Sequence, residues 1–372
     1  MKIIQSVLSK DLIHYPLENI GSLDNLLFFD IETTGFSHQT TSLYLIGVVY
    51  YREGEWQSLQ WLSEQYENPA EEKELLTAFI EFSKPYQTFI HFNGNTFDIP
   101  YLSGKFHSAN LDNPFSNKDG IDLYQRTAPY KQLLQLPNCK QKTLEAVMHF
   151  PRKDEKTPKE LIQLFIEYSS HPTTELEDLL LLHNLDDLKG MLHILPILSY
   201  SDLLLQKFRV VKVYSNQYLN EANEESSELI MKIKLFSALP IEISVNSNGC
   251  YLSSDANVLH IKLPIIKKTL KYFYSNYKDY YYLPNEDTAL HKSVAGFLDP
   301  SLREKATAKN CYTLKEAVFL PQWDIVFSPI FKENYEDNCF YFELEDEMKK
   351  SPELFQKYAL HILDMLLHTK NK

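Results

Sequence analysis

The chain has 372 residues, of which 44% are hydrophobic and 23% charged, and its formal net charge is −13. That is enough chain for two domains of ordinary globular composition, and the acidic balance excludes a generic basic coat for nucleic acid. The four cysteines, Cys139, Cys250, Cys311 and Cys339, form no C-x-x-C pair and read as reduced thiols, not as a disulfide or zinc framework.

Residues 1–22 read as a short lead-in. Met1-Lys2-Ile3-Ile4-Gln5 runs into mixed polar sequence without a secretion-signal pattern, and no apolar run is long enough to cross a bilayer. A cytoplasmic location with no membrane partner is therefore expected. Leu26-Leu27-Phe28-Phe29 predicts a buried strand that ends in a turn at Thr33-Thr34-Gly35. Asp30 and Glu32 stand at i and i+2, so they project from one face of its tip. Two carboxylates that close repel unless a cation or a proton lies between them, and hard Mg²⁺ or Mn²⁺ suits oxygen ligands.

Ser42–Tyr51 predicts a second strand, Gln57–Leu62 a third, 69–82 a helix and 88–92 a further strand. Asn93-Gly94-Asn95 then marks a turn, and a helix opens near Asp98, where the helix dipole favours an acid. Phe97 and Tyr101, four apart, would anchor that helix. Another strand falls near Gly120-Ile121-Asp122-Leu123, with Asp122 read as a strand-end residue outside the ligand set. Apolar spacing through 176–195 predicts a helix on which His183 and Asp187, at i and i+4, share a face.

These three segments, D-x-E, N-x-x-x-F-D and H-x-x-x-D, stand in an order that resembles the exonuclease motifs of the DEDD 3′–5′ exonuclease superfamily. Asn93-Gly94-Asn95-Thr96-Phe97-Asp98-Ile99-Pro100-Tyr101-Leu102 is similar to the second motif of polymerase proofreading domains, and Lys142-Thr143-Leu144-Glu145-Ala146-Val147 to the segment between the second and third. The chain also resembles the YprB-type ribonuclease H-like group of bacterial proteins. After residue 207 the change of composition points to a smaller α+β accessory domain over 208–372, and the resemblance implies an α/β fold over 23–207, a ribonuclease H-like mixed five-stranded sheet flanked by helices. It further implies that Asp30, Glu32, Asp98 and Asp187 hold two ions, Mg²⁺ or Mn²⁺, and that Thr33, Asn93 and Phe97 contact the substrate. The expected activity is hydrolysis of a nucleic acid from its 3′ end. His183 stands four before Asp187, the spacing of the family's tyrosine branch, so it takes the tyrosine slot. This leaves open whether it accepts a proton or orients water. An inactive nucleic-acid-binding relative is the alternative class. No recognisable element reads a 2′-hydroxyl, so the expected substrate is a single-stranded DNA or RNA end, with neither favoured.

Beyond residue 207, Arg209–Leu219, Glu228–Phe236, Ile241–Val245, Gly249–Ser253 and Val258–Leu263 predict short strands at turn-rich spacing. From Pro264 the expectation is partly helical, with Lys267, Lys268 and Lys271 on one helical stretch. Arg303, Lys305, Lys309 and Lys315 form a second basic run among aromatics.

Overall fold

A computed structural model describes residues 1–219 and 222–367. The chain divides into two compact units, Met1–Ser201 and Asp202–Lys372. Residues 220–221 and the last five of the expected accessory domain lie outside the described residues.

The first unit is built on a mixed sheet of β1 (Lys2–Leu8), β2 (Leu26–Thr33), β3 (Leu43–Arg52), β4 (Glu55–Leu62), β5 (Thr88–His91) and β6 (Asp119–Asp122), in the order β1-β4-β3-β2-β5-β6. Strands β1 to β4 pair antiparallel, whereas β5 and β6 join β2 in parallel. The sheet thus has six strands where five were expected. The extra strand is β1, from the segment read as a lead-in. Its alternating exposure, with Ile3 and Val7 outward, satisfies the otherwise open hydrogen-bonding edge of β4.

Helices α1 (Pro69–Ser83), α2 (Asp98–Ser108), α3 (Leu123–Thr127), α4 (Gln141–Val147), α5 (Pro158–Ser170) and α6 (Thr174–Ile194) complete the unit. Their starts are chemically marked. Asn68 caps α1 ahead of Pro69, Thr157 and Glu160 form a capping box on α5, and Thr173 caps α6. On β2 the pleat separates two environments. Leu27, Phe29 and Ile31 enter a core with Leu75, Leu76 and Phe79 of α1 and Leu102 and Phe106 of α2. The opposite face, which carries Asp30 and Glu32, meets α6.

The second unit contains a seven-stranded antiparallel sheet. It includes β7 (Phe208–Leu219), β8 (Glu225–Leu235), β9 (Ser244–Ser247), β10 (Cys250–Asp255) and β11 (Val258–Phe273), with Tyr312–Gln322 and Phe340–Glu343 added along the far half of β11. Lys267, Lys268 and Lys271 therefore lie on a strand, not a helix. The β-branched and aromatic run from Ile265 to Phe273 pairs with Tyr312–Phe319, and this tertiary pairing overrides the helical preference of the lysines. A three-stranded sheet holds Tyr280–Leu283, and helix Pro352–Leu367 closes the unit. No helix among the described residues is long and apolar enough to cross a membrane.

Candidate active site

Asp30 and Glu32 sit opposite Gly47 and Leu45 of β3. Glycine at 47 is required by what crosses above it: a Cβ there would lie 1.9 Å from Oδ1 of Asn184 on α6. With that room, Asn184 donates from Nδ2 to Oδ2 of Asp30 at 2.8 Å and accepts from Nε2 of Gln60 at 2.9 Å. Asp98, buried at the start of α2, accepts from its own amide and from the amide of Ile31, the residue between Asp30 and Glu32. The second motif is thereby tied to the backbone of the first.

Helix α6 brings the third motif. Oxygens of Glu32 and Asp187 and a nitrogen of His183 all lie within 4.8 Å of one another. Nδ1 of buried His183 meets Asp154 at 2.6 Å, which leaves Nε2 at 3.3 Å from Asp187 and 3.6 Å from Glu32. Asp186 points elsewhere and accepts the amides of Lys153 and Asp154 at 2.7 and 2.8 Å, so it pins the loop that presents Asp154. One cation enters the cluster from that loop. Arg152 lies 2.6 Å from Asp187, 3.1 Å from Glu145 and 3.1 Å from Asp154. Glu145 reaches this position because residue 190 is glycine, whose Cβ would fall 1.9 Å from Oε1 of Glu145.

The electrostatics show a surplus of negative charge. Burial pushes Asp30 well above the ordinary carboxylate range, reinforced by Asp187, Glu32 and Asp98. Glu32 is raised by burial and then by Asp187, Asp98 and Asp154, against a lowering by Arg152. Asp98 is raised to about 7, chiefly by burial. Asp154 goes the other way: the Lys156 amide, His183 and Arg152 together outweigh its burial. This donor set fits hard divalent cations. It is almost entirely oxygen, its carboxylates repel one another, and Arg152 offsets only part of the charge.

The residues expected at the substrate are placed less uniformly. Thr33 donates to the Gly35 carbonyl at 2.8 Å. Asn93 has φ +59°, accepts from Thr96 at 2.8 Å and donates its amide to Asp122, so its side chain serves the turn. Asp122 also caps α3, a structural task. Phe97 packs edge-on against Phe36 at 5.9 Å, and Phe36 is 92% exposed. Motif reading passed over Arg152, Asp154, Asn184 and Phe36. The available signal was Arg152-Lys153-Asp154, opposite charges two apart in a loop, but no periodicity links that loop to α6.

Residues 27–199 match the family model described as RNase_H superfamily. Over this segment, just under half of the chain, the protein is similar to that superfamily. Solved structures similar to the chain include the family B DNA polymerase from the hyperthermophilic archaeon Pyrobaculum calidifontis, at 16% identity and TM-score 0.37, over 49% of this chain and 25% of that one. Another is E. coli exonuclease I in complex with a dT13 oligonucleotide, at 10% identity and TM-score 0.33, over 56% of this chain and 54% of that one. The chain thus spans about a quarter and about half of their lengths. No curated protein matches it.

Proposed function

We propose that the first unit is a metal-dependent 3′–5′ exonuclease that hydrolyses phosphodiester bonds at single-stranded DNA or RNA ends, using two Mg²⁺ or Mn²⁺ ions. One observation carries this reading. Asp30, Glu32, Asp98 and Asp187 come from three separated segments and enter one cluster of mutually repelling carboxylates. These four would hold the ions, which when bound supply Lewis acidity and positive charge at the attacked phosphate. His183 faces the same space with Nε2. Its Nδ1 proton is donated to Asp154, the tautomer in which Nε2 can take a proton from water. Arg152 holds Asp187 in place and limits the charge that the ions must neutralise. The exposed ring of Phe36, backed by Phe97, is suited to stack on a terminal base.

The test is hydrolysis of matched 5′-labelled single-stranded DNA and RNA with Mg²⁺, Mn²⁺ or EDTA. Stepwise shortening from the 3′ end that stops in EDTA and in Asp187→Asn is the expected result. A second reading, a catalytically weak nucleic-acid-binding domain, is favoured by the Arg152–Asp187 ion pair, which engages one proposed ligand without a metal. It predicts oligonucleotide binding without shortening under every metal condition.

A further inference from the structure

We propose that the open face of the β7-β8-β11-β10-β9 array in the second unit binds single-stranded nucleic acid, independently of metal.

The other face of this array is committed to the core. Met231 and Ile233 of β8, Leu259 and Ile261 of β11 and Leu252 of β10 are all buried. Helix Pro352–Leu367 packs on β7, β9 and β10. Alternation then places the intervening residues on the opposite face. Their register is unusual. Lys212 pairs directly with Lys232, and Arg209 pairs directly with Lys234, so two like-charged cross-strand pairs stand side by side. In the next strand Lys262 pairs with Ile230 and, on its other side, with Tyr251. None of these five cations forms an ion pair among the described residues, in a chain whose net charge is −13. Like charges directly opposite one another cost stability in a sheet, and an anionic partner removes that cost.

The partner's class follows from what lies between the cations. Tyr214 and Tyr251 are 41% and 36% exposed and share a cross-strand row through Ile230 and Lys262. Lys212 lies over the Tyr214 ring at 5.0 Å from its centroid. Three strand spacings separate the two rings, about 14 Å, with cations on either side. Rings on a sheet flanked by lysines accept unpaired bases by stacking and phosphates by charge. A duplex hides its base faces, and Ile230, the aliphatic residue between the rings, is buried and offers lipid nothing. Glu228 and Asp255 bound the basic area at its two ends.

The experiment uses the full chain in EDTA, so that a metal-dependent site contributes nothing. Anisotropy is measured with labelled oligo(dT) and oligo(U) of about 20 nucleotides, a length spanning such a face, over a salt series. The expected result is measurable binding by the parent. K212A/K232A/K262A should weaken it at least about tenfold, and the slope of log K against log salt should become shallower by about 2, at ~0.7 per phosphate contact. Tyr214→Ala and Tyr251→Ala should weaken binding while the Phe variants retain it. Relief of like-charge repulsion should keep the Tm of the triple variant at or above that of the parent. No binding by the parent in EDTA would overturn the proposal, as would an unchanged Kd and salt slope in the triple variant. So would loss of phosphatidylglycerol-vesicle binding in that variant with oligonucleotide affinity intact. Hydrolysis can fail while this binding stands, and the reverse, so the two readings are separable.

Discussion

Asp154 meets Nδ1 of His183 at 2.6 Å, and this contact turns the other ring nitrogen toward Glu32 and Asp187. The pair joins a loop after α4 to the middle of α6, 29 residues apart in sequence. Under the proposed exonuclease reading it defines which nitrogen of His183 would act on a substrate, and Asp154 would be a positioning residue.

His183→Ala should lower turnover by about 10²-fold or more, the usual contribution of a general base, while metal affinity measured by calorimetry changes little. Asp154→Asn should lower turnover by a smaller factor, because the asparagine oxygen can still accept from Nδ1–H but carries no charge. If His183→Tyr retains full activity, the residue orients water and takes no proton.

Asp30→Asn should nearly abolish hydrolysis yet leave the metal-free protein as stable as the parent or more so. The asparagine oxygen still accepts from Asn184, while repulsion with Glu32, Asp98 and Asp187 falls. A clear drop in Tm in EDTA would assign Asp30 a structural role instead.

Stability without metal should fall as pH rises from about 4 to 7. Asp98 is held at about 7 in the folded chain, and Asp30 and Glu32 are raised as well. Between the ordinary carboxylate value and the raised one, the folded state binds more protons than the unfolded state, so each pH step costs stability. Asp154, lowered in the folded state, contributes oppositely and loses its contribution only in acid. Melting curves in EDTA across this range should show the decline, Asp98→Asn should flatten it, and Mn²⁺ should reverse it.

Arg152→Ala should destabilise the metal-free protein by about 3–5 kcal/mol, because Glu145, Asp154 and Asp187 lose their shared cation in a largely buried site. Added divalent ion should recover part of this in a denaturant titration, since the metal would neutralise Asp187.

Gly47→Ala should cost about 1–3 kcal/mol and most of the activity, because a methyl at 1.9 Å from Asn184 Oδ1 forces α6 away from β2. Chemical denaturation and a turnover assay on the same preparation would separate the two losses.

The local elements of the first unit were legible because their signals are local. The run Leu26–Phe29 followed by a turn, the Asn93-Gly94-Asn95 turn before Asp98, and the i, i+4 relation of His183 and Asp187 each need only a few neighbouring residues. Strand β1 escaped because Lys2–Leu8 is a strand only against the open edge of β4. Lys267–Lys271 escaped for a related reason: their pairing partner lies more than 40 residues downstream. By itself the sequence determined which acids stand at strand and helix ends, since pleat and helical period dictate facing within one element. Tertiary structure alone decided that Asp186 pins the Lys153–Asp154 loop, that Asp154 orients His183, that Arg152 is the cluster's cation, and that glycines 47 and 190 make the room. Those relationships join segments whose separation carries no period, so only the packing of α6 and its neighbouring loop against β2 and β3 could create them.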